Sequence, residues 1–115
     1  MKYLHTMIRV HDLDATLRFF KDGLGLRETR RMDNPQGKYT LVFLAADETP
    51  EAEIELTHNW DSTEDYGSAR NFGHLAFRVK DIYATCAHLQ SMGYTISRPP
   101  RGVNGRTAAI ARSSA

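Results

Sequence analysis

Apolar and polar side chains alternate along three short stretches of this chain, and each stretch reads as a strand with one apolar and one chemical face. In the first, Leu4, Ile8 and Val10 share one side, with His5, Met7 and Arg9 opposite. The second sets Ile54, Leu56, His58 and Trp60 against Glu53, Glu55, Thr57 and Asn59. The third sets Leu75, Phe77 and Val79 against His74, Ala76 and Arg78. Between the first two, the period changes to that of a helix. Leu13, Leu17, Phe20 and Leu24 recur at helical spacing after a capping Asp12 or Asp14, and Gly23 and Gly25 end the run. Residues 27–32 and 38–45 read as further strands around the breaker-rich turn Asp33-Asn34-Pro35-Gln36-Gly37. A polar stretch, 61–71, carries Gly67 and no apolar period, and reads as a linker.

The second half repeats the first. With an offset of 69 residues, His5 falls on His74, Arg9 on Arg78, Val10 on Val79, Asp12 on Asp81, Ala15 on Ala84 and Thr16 on Thr85. Both copies run strand, Asp cap, amphipathic helix, Gly stop, with Ile82, Cys86 and Leu89 as the second helix's stripe. The pattern predicts an internal duplication. The first copy ends in the Glu55 strand, so a complete second copy would end in an acid-bearing strand near position 124, whereas the sequence stops at Ala115.

If the three alternating strands join one curved sheet, His5, Glu55 and His74 converge on its polar face. Two histidines and one carboxylate suit a divalent metal. His5 alone would read as a solvated histidine; its repeat partner and Glu55 are what make it a candidate ligand. Glu53 is a competing carboxylate on the same face. His11, His58 and His88 read as surface or packing histidines, Trp60, Phe72 and Tyr66 as core aromatics, and Cys86 as a packing residue.

Bulk properties narrow the partners. At 115 residues, 41% hydrophobic and 25% charged, the chain is one domain's worth and can bury a moderate core that a partner subunit would assist. A net charge of +1 with scattered basic residues excludes a nucleic-acid footprint. The longest apolar run, Leu41 to Ala46, is far short of the ~20 residues of a membrane span. The lone Cys86 and the lack of a secretory apolar segment at the start predict a reducing, cytoplasmic setting.

From residue 1 to about 100 the chain resembles glyoxalase I (lactoylglutathione lyase) of the vicinal oxygen chelate superfamily. The matching stretches are Leu4 to Val10, Asn34-Pro35 with Lys38-Tyr39, Ile54 to Trp60, and Arg70 to His74. The resemblance implies an α+β fold of paired βαβββ modules, with helices on the outer face of a curved mixed sheet. It divides one glyoxalase-like domain into module 1 (1–60), a linker (61–71) and an incomplete module 2 (72–115). It implies His5, Glu55 and His74 as metal ligands, Glu55 as a catalytic residue, and Arg9, Asn59 and Arg70 as contacts of glutathione. The implied reaction isomerises the methylglyoxal-glutathione hemithioacetal to S-lactoylglutathione in a homodimer whose subunits share sites. The implied cofactor is Ni²⁺, with Zn²⁺ and Co²⁺ as alternatives. In the family a glutamate on the last strand is the fourth ligand and a proton-shuttling base; residues 102–115 lack that strand and the closing Asp-Pro-Asp-Gly turn. Two rival readings stand beside this one. One is another superfamily enzyme, a dioxygenase or thiol transferase, against which Asn59 and Arg70 argue. The other is a non-catalytic metal- or small-molecule-binding module, for which the absent glutamate argues.

Overall fold

A computed structural model describes residues 1–67, 71, 73–100 and the backbone of 107–110. The chain forms two compact units that divide at Gly67. Arg70, Phe72 and most of the divergent tail lie outside the described residues.

In the first unit, β1 (His5–Arg9) leads to a short helix, α1 (Leu13–Leu17), followed by β2 (Arg27–Asn34), β3 (Tyr39–Ala45) and β4 (Glu53–Asn59). The four strands form one mixed sheet in the order β1-β4-β3-β2. β1 runs parallel to β4, and the other neighbours are antiparallel. The parallel pairing requires the crossover that α1 supplies.

Asp12 caps α1, its Oδ1 accepting from the Ala15 amide at 3.0 Å. The expected single helix to Leu24 widens after Leu17, because Arg18–Gly23 is π-helical and the Leu24 amide donates to the Phe19 carbonyl. That wider turn rotates the apolar stripe. Phe19, absent from the expected stripe, is buried, while Leu24 is only half-buried. Gly25 then takes a positive φ of 74°, which only glycine adopts without strain, and ends the helical segment.

The period-2 reading holds for β4, whereas Leu4, expected on the apolar face of the first strand, precedes β1 and is 62% exposed. Val42, Leu44, Ile54 and Leu56 are buried with Val10, Leu17, Phe20 and Leu26, so the apolar sheet face and the helical segment make the core. The turn before β3 depends on Gly37, because an added Cβ would stand 2.4 Å from the Tyr39 ring. Asn34 sets that turn by accepting from the Gly37 amide at 2.7 Å and donating to the Tyr39 hydroxyl at 3.1 Å. Trp60 departs from the core expectation. It is 41% exposed, and its indole nitrogen donates to Thr40 Oγ1 at 2.8 Å.

The second unit holds β5 (Leu75–Arg78), α2 (Ile82–Ser91) and β6 (Thr107–Ile110). Asp81 caps α2 through the amides of Tyr83 and Ala84, and Gly93 follows the helix at φ 96°. β6 pairs antiparallel with β5. The 69-residue offset lays β6 on residues 38–41 at the start of β3. In the first unit β3 runs opposite to β4 and therefore opposite to β1, so the direction of β6 agrees with that alignment.

Candidate metal and anion site on the polar sheet face

The strand registers build the polar face row by row. His5 pairs with Glu53; Met7, Glu55 and Phe43 share the next row; Arg9, Thr57 and Leu41 the third; Asn59 and Tyr39 the fourth. Each side chain points to this face because same-face residues on paired strands sit opposite one another. His5, Glu55, Arg9 and Asn59 therefore come together in the first unit.

Two pairs result. His5 Nε2 stands 3.2 Å from Glu55 Oε1, the side chains being 31% and 14% exposed. The other oxygen, Glu55 Oε2, accepts from the Thr57 hydroxyl at 2.8 Å. One rim away, Arg9 Nε donates to Asn59 Oδ1 at 3.0 Å. That bond leaves most of the guanidinium fork and the Asn59 amide nitrogen for an anionic or amide ligand.

Glu53, the rival carboxylate, is already committed. Arg30 Nη2 donates to its Oε1 at 3.1 Å, Arg30 Nε to its Oε2 at 3.3 Å, and Thr29 Oγ1 also donates to Oε2. The Thr29 hydroxyl, then Arg30, hold the Glu53 carboxyl below the usual carboxylate range, with the charges of Arg30 and His5 acting the same way. The Glu55 carboxylate, by contrast, meets only His5 and Thr57 among the described residues. His5 also makes a T-shaped contact with Phe43, with ring centroids 5.4 Å apart, and the Arg30 guanidinium lies 3.7 Å over the centroid of the same Phe43 ring.

An imidazole nitrogen and a carboxylate oxygen at this separation are a fitting donor pair for a borderline divalent cation. Among the described residues no three His, Cys, Asp or Glu side chains gather into a fuller cage. His74 is exposed just ahead of β5 in the second unit. The side chains that sequence reading missed are Thr29, Arg30, Phe43 and Thr57. Register was the available signal for Phe43 and Thr57, but nothing local announced Thr29 and Arg30.

Comparison with known proteins shows what the chain as a whole is similar to. The family model described as Glyoxalase/Bleomycin resistance protein/Dioxygenase superfamily matches residues 2–112. A lactoylglutathione lyase of Haemophilus influenzae is 45% identical over 112 residues, covering 96% of this chain and 82% of that protein. Among solved structures, the trypanothione-dependent glyoxalase I of Leishmania major aligns with a TM-score of 0.80 at 32% identity, over 96% of this chain and 86% of the other. Glyoxalase I of Zea mays aligns with a TM-score of 0.70 at 33% identity, over 94% of this chain and 38% of that longer one.

Proposed function

Because the chain belongs to the Glyoxalase/Bleomycin resistance protein/Dioxygenase superfamily, we propose that it is a lactoylglutathione lyase, isomerising the hemithioacetal of methylglyoxal and glutathione to S-lactoylglutathione. The observation that carries this reading is the His5–Glu55 pair standing on one sheet face with the Arg9–Asn59 pair. An adduct of glutathione needs both, a centre for its vicinal oxygens and a fixed cation for its carboxylates. Relatives named lactoylglutathione lyase support the assignment.

His5 and Glu55 would hold a divalent cation, with His74 as the third protein donor that the resemblance implies. Ni²⁺ is the first choice, Zn²⁺ and Co²⁺ the alternatives, since N/O donor sets accept all three. Such a cation, when bound, would supply Lewis-acid stabilisation of negative charge on the substrate's oxygens. Glu55 takes the proton from one carbon of the adduct and returns it to the next, and its Thr57 hydrogen bond orients the carboxylate for that transfer. Arg9, Asn59 and Arg70 fix the glutathione moiety, so that the reacting carbons are presented to Glu55 in one pose. The enzyme works in the cytoplasm as a homodimer; the free thiol of Cys86 accords with a reducing compartment.

The test is an isomerase assay after metal stripping, with Ni²⁺, Zn²⁺ or Co²⁺ added back. His5→Ala and Glu55→Ala should each lose metal and at least about 100-fold in activity together. Arg70→Ala should raise KM for the adduct and leave metal content unchanged. Stoichiometric metal in both His5→Ala and Glu55→Ala would remove this site. Metal binding without turnover under any of the three ions would replace the enzyme reading with that of a binding protein.

A further inference from the structure

Two carboxylates of β4 point to the same face as His5, and the nearer in register is the one not assigned to the metal. Glu53 is the direct register partner of His5, whereas Glu55 lies one pair further along, opposite Met7. Adjacent same-face positions on paired strands lie about 5 Å apart at the backbone. By position alone, Glu53 is as well placed as Glu55 to share a cation with His5. What separates them is a residue on a third strand.

The register of β2 against β3 slips between Glu28 and Arg30: Glu28 pairs with Leu44 and Arg30 with Phe43, so Thr29 is an extra residue. Counted back from the turn, the pairing is unbroken from Asn34–Tyr39 to Arg30–Phe43, so alternation itself puts Arg30 on the Phe43 face and would send Thr29 to the other face with Arg31. The bulge brings the Thr29 hydroxyl to the Phe43 side as well, where it donates to the Phe43 carbonyl at 3.2 Å and to Glu53 Oε2. There Arg30 forks onto both oxygens of Glu53, at 3.1 and 3.3 Å, and Thr29 adds a third bond. The same guanidinium lies on the Phe43 ring, which makes a T-shaped contact with His5. A carboxylate with both oxygens held by a fork and a hydroxyl must break charge-assisted bonds before it can bind a metal.

We infer that Arg30, joined by the Thr29 hydroxyl at the bulge, is a positioning residue that withholds Glu53 from the cation site and leaves Glu55 as the carboxylate donor beside His5. This rests on the proposed metal role of His5 and Glu55. Its consequence is an exchange: with Arg30 gone, Glu53 becomes a donor, and the site tolerates loss of Glu55. Arg30 is 58% exposed, so its truncation leaves the fold intact.

The deciding experiment titrates the stripped protein with Co²⁺ against a chromophoric chelator and records the visible spectrum, with circular dichroism confirming the fold of every variant. Glu55→Gln should lose Co²⁺ affinity by about 10-fold or more. Adding Arg30→Ala to Glu55→Gln should recover at least half of that loss on a logarithmic scale, and adding Glu53→Gln to the pair should abolish the recovery. In the otherwise native chain, Arg30→Ala should alter the Co²⁺ spectrum, while Arg30→Lys should alter it less, because an ammonium keeps the charge without the fork. If Glu55→Gln leaves affinity unchanged, the metal reading itself fails. If Glu55→Gln weakens binding and Arg30→Ala recovers none of it, the inference about Arg30 is overturned while the metal reading stands.

Discussion

The two strand-helix units begin with the same residues and end in different company. His5 to Thr16 and His74 to Thr85 share a histidine, an Arg-Val step, an Asp cap and an Ala-Thr pair, and both produce a strand and an Asp-capped helix. Yet β1 finds a parallel partner in β4, and β5 an antiparallel one in β6. The first helix widens into a π-helical turn, while the second continues as ten regular residues. What is local repeats, and what depends on distant partners diverges. Caps and face alternation are decided within a few residues; strand direction and burial depend on which later segments arrive.

The largest break in this comparison comes from the core. Leu56 and Leu44 are fully buried in the first sheet, whereas Leu89, the deepest leucine described in the second unit, keeps 7% exposure. Leu56→Ala should cost about 3–5 kcal/mol, because a fully enclosed site leaves a cavity that its stiff β-sheet neighbours cannot close. Leu89→Ala should cost about 2 kcal/mol, near the low end of such changes. Urea unfolding measures both, and a Leu89→Ala loss equal to that of Leu56→Ala would contradict the claim that the first sheet carries the denser core.

The caps test the opposite claim, that the repeated code acts alike in both units. Asp12 accepts one amide at 3.0 Å, and Asp81 accepts two, at 3.0 and 3.2 Å. Removing either leaves helix donors without their partner, so Asp12→Ala and Asp81→Ala should each cost about 1 kcal/mol, with Asp81→Ala the larger. Asn at either position should retain most of the stability. A cap that matters in one unit and not in the other would mean that the shared sequence is coincidence rather than a repeated structural instruction.

The same division explains what was legible from sequence. The α+β class, the polar face of β4 and the Asp caps follow from alternation and short-range chemistry. His5 and Glu55 are candidates on that face, the choice of Glu55 and the roles of Arg9 and Asn59 come from the resemblance, and these four side chains lie on one face. The π-helical turn was not legible, because Leu13, Leu17, Phe20 and Leu24 keep good helical spacing. Only the packing that buries Phe19 reveals the extra width. Nor was the role of Arg30 legible, since it reaches Glu53 across the intervening β3, over the Phe43 ring, and the bulge that adds the Thr29 hydroxyl breaks the alternation. Trp60 continued the apolar alternation of β4 but lies past its last residue, where the hydrogen bond to Thr40 holds an exposed ring. The placement of Arg70 lies outside the described residues, and its role rests on the resemblance alone.

The smallest effect concerns a charge pair found in the first unit, on the bulged strand. Glu28 accepts from Arg31 Nη2 at 2.7 Å and from Arg31 Nε at 3.2 Å, and that bond chiefly holds the Glu28 carboxyl below its ordinary value of 4.5. A carboxyl lowered on folding adds stability above its unfolded pKa and surrenders it as pH falls through the folded one. The contribution should therefore be complete at pH 7, begin to fade near pH 4.5, and be gone once the folded group is protonated. Both side chains are partly exposed, at 28% and 44%, so solvent screening keeps the pair below about 1 kcal/mol. Glu28→Gln should lower the urea midpoint slightly at pH 7 and leave it equal to the parent's in strong acid. A difference that persists unchanged in acid would assign the effect to packing at the bulge rather than to charge.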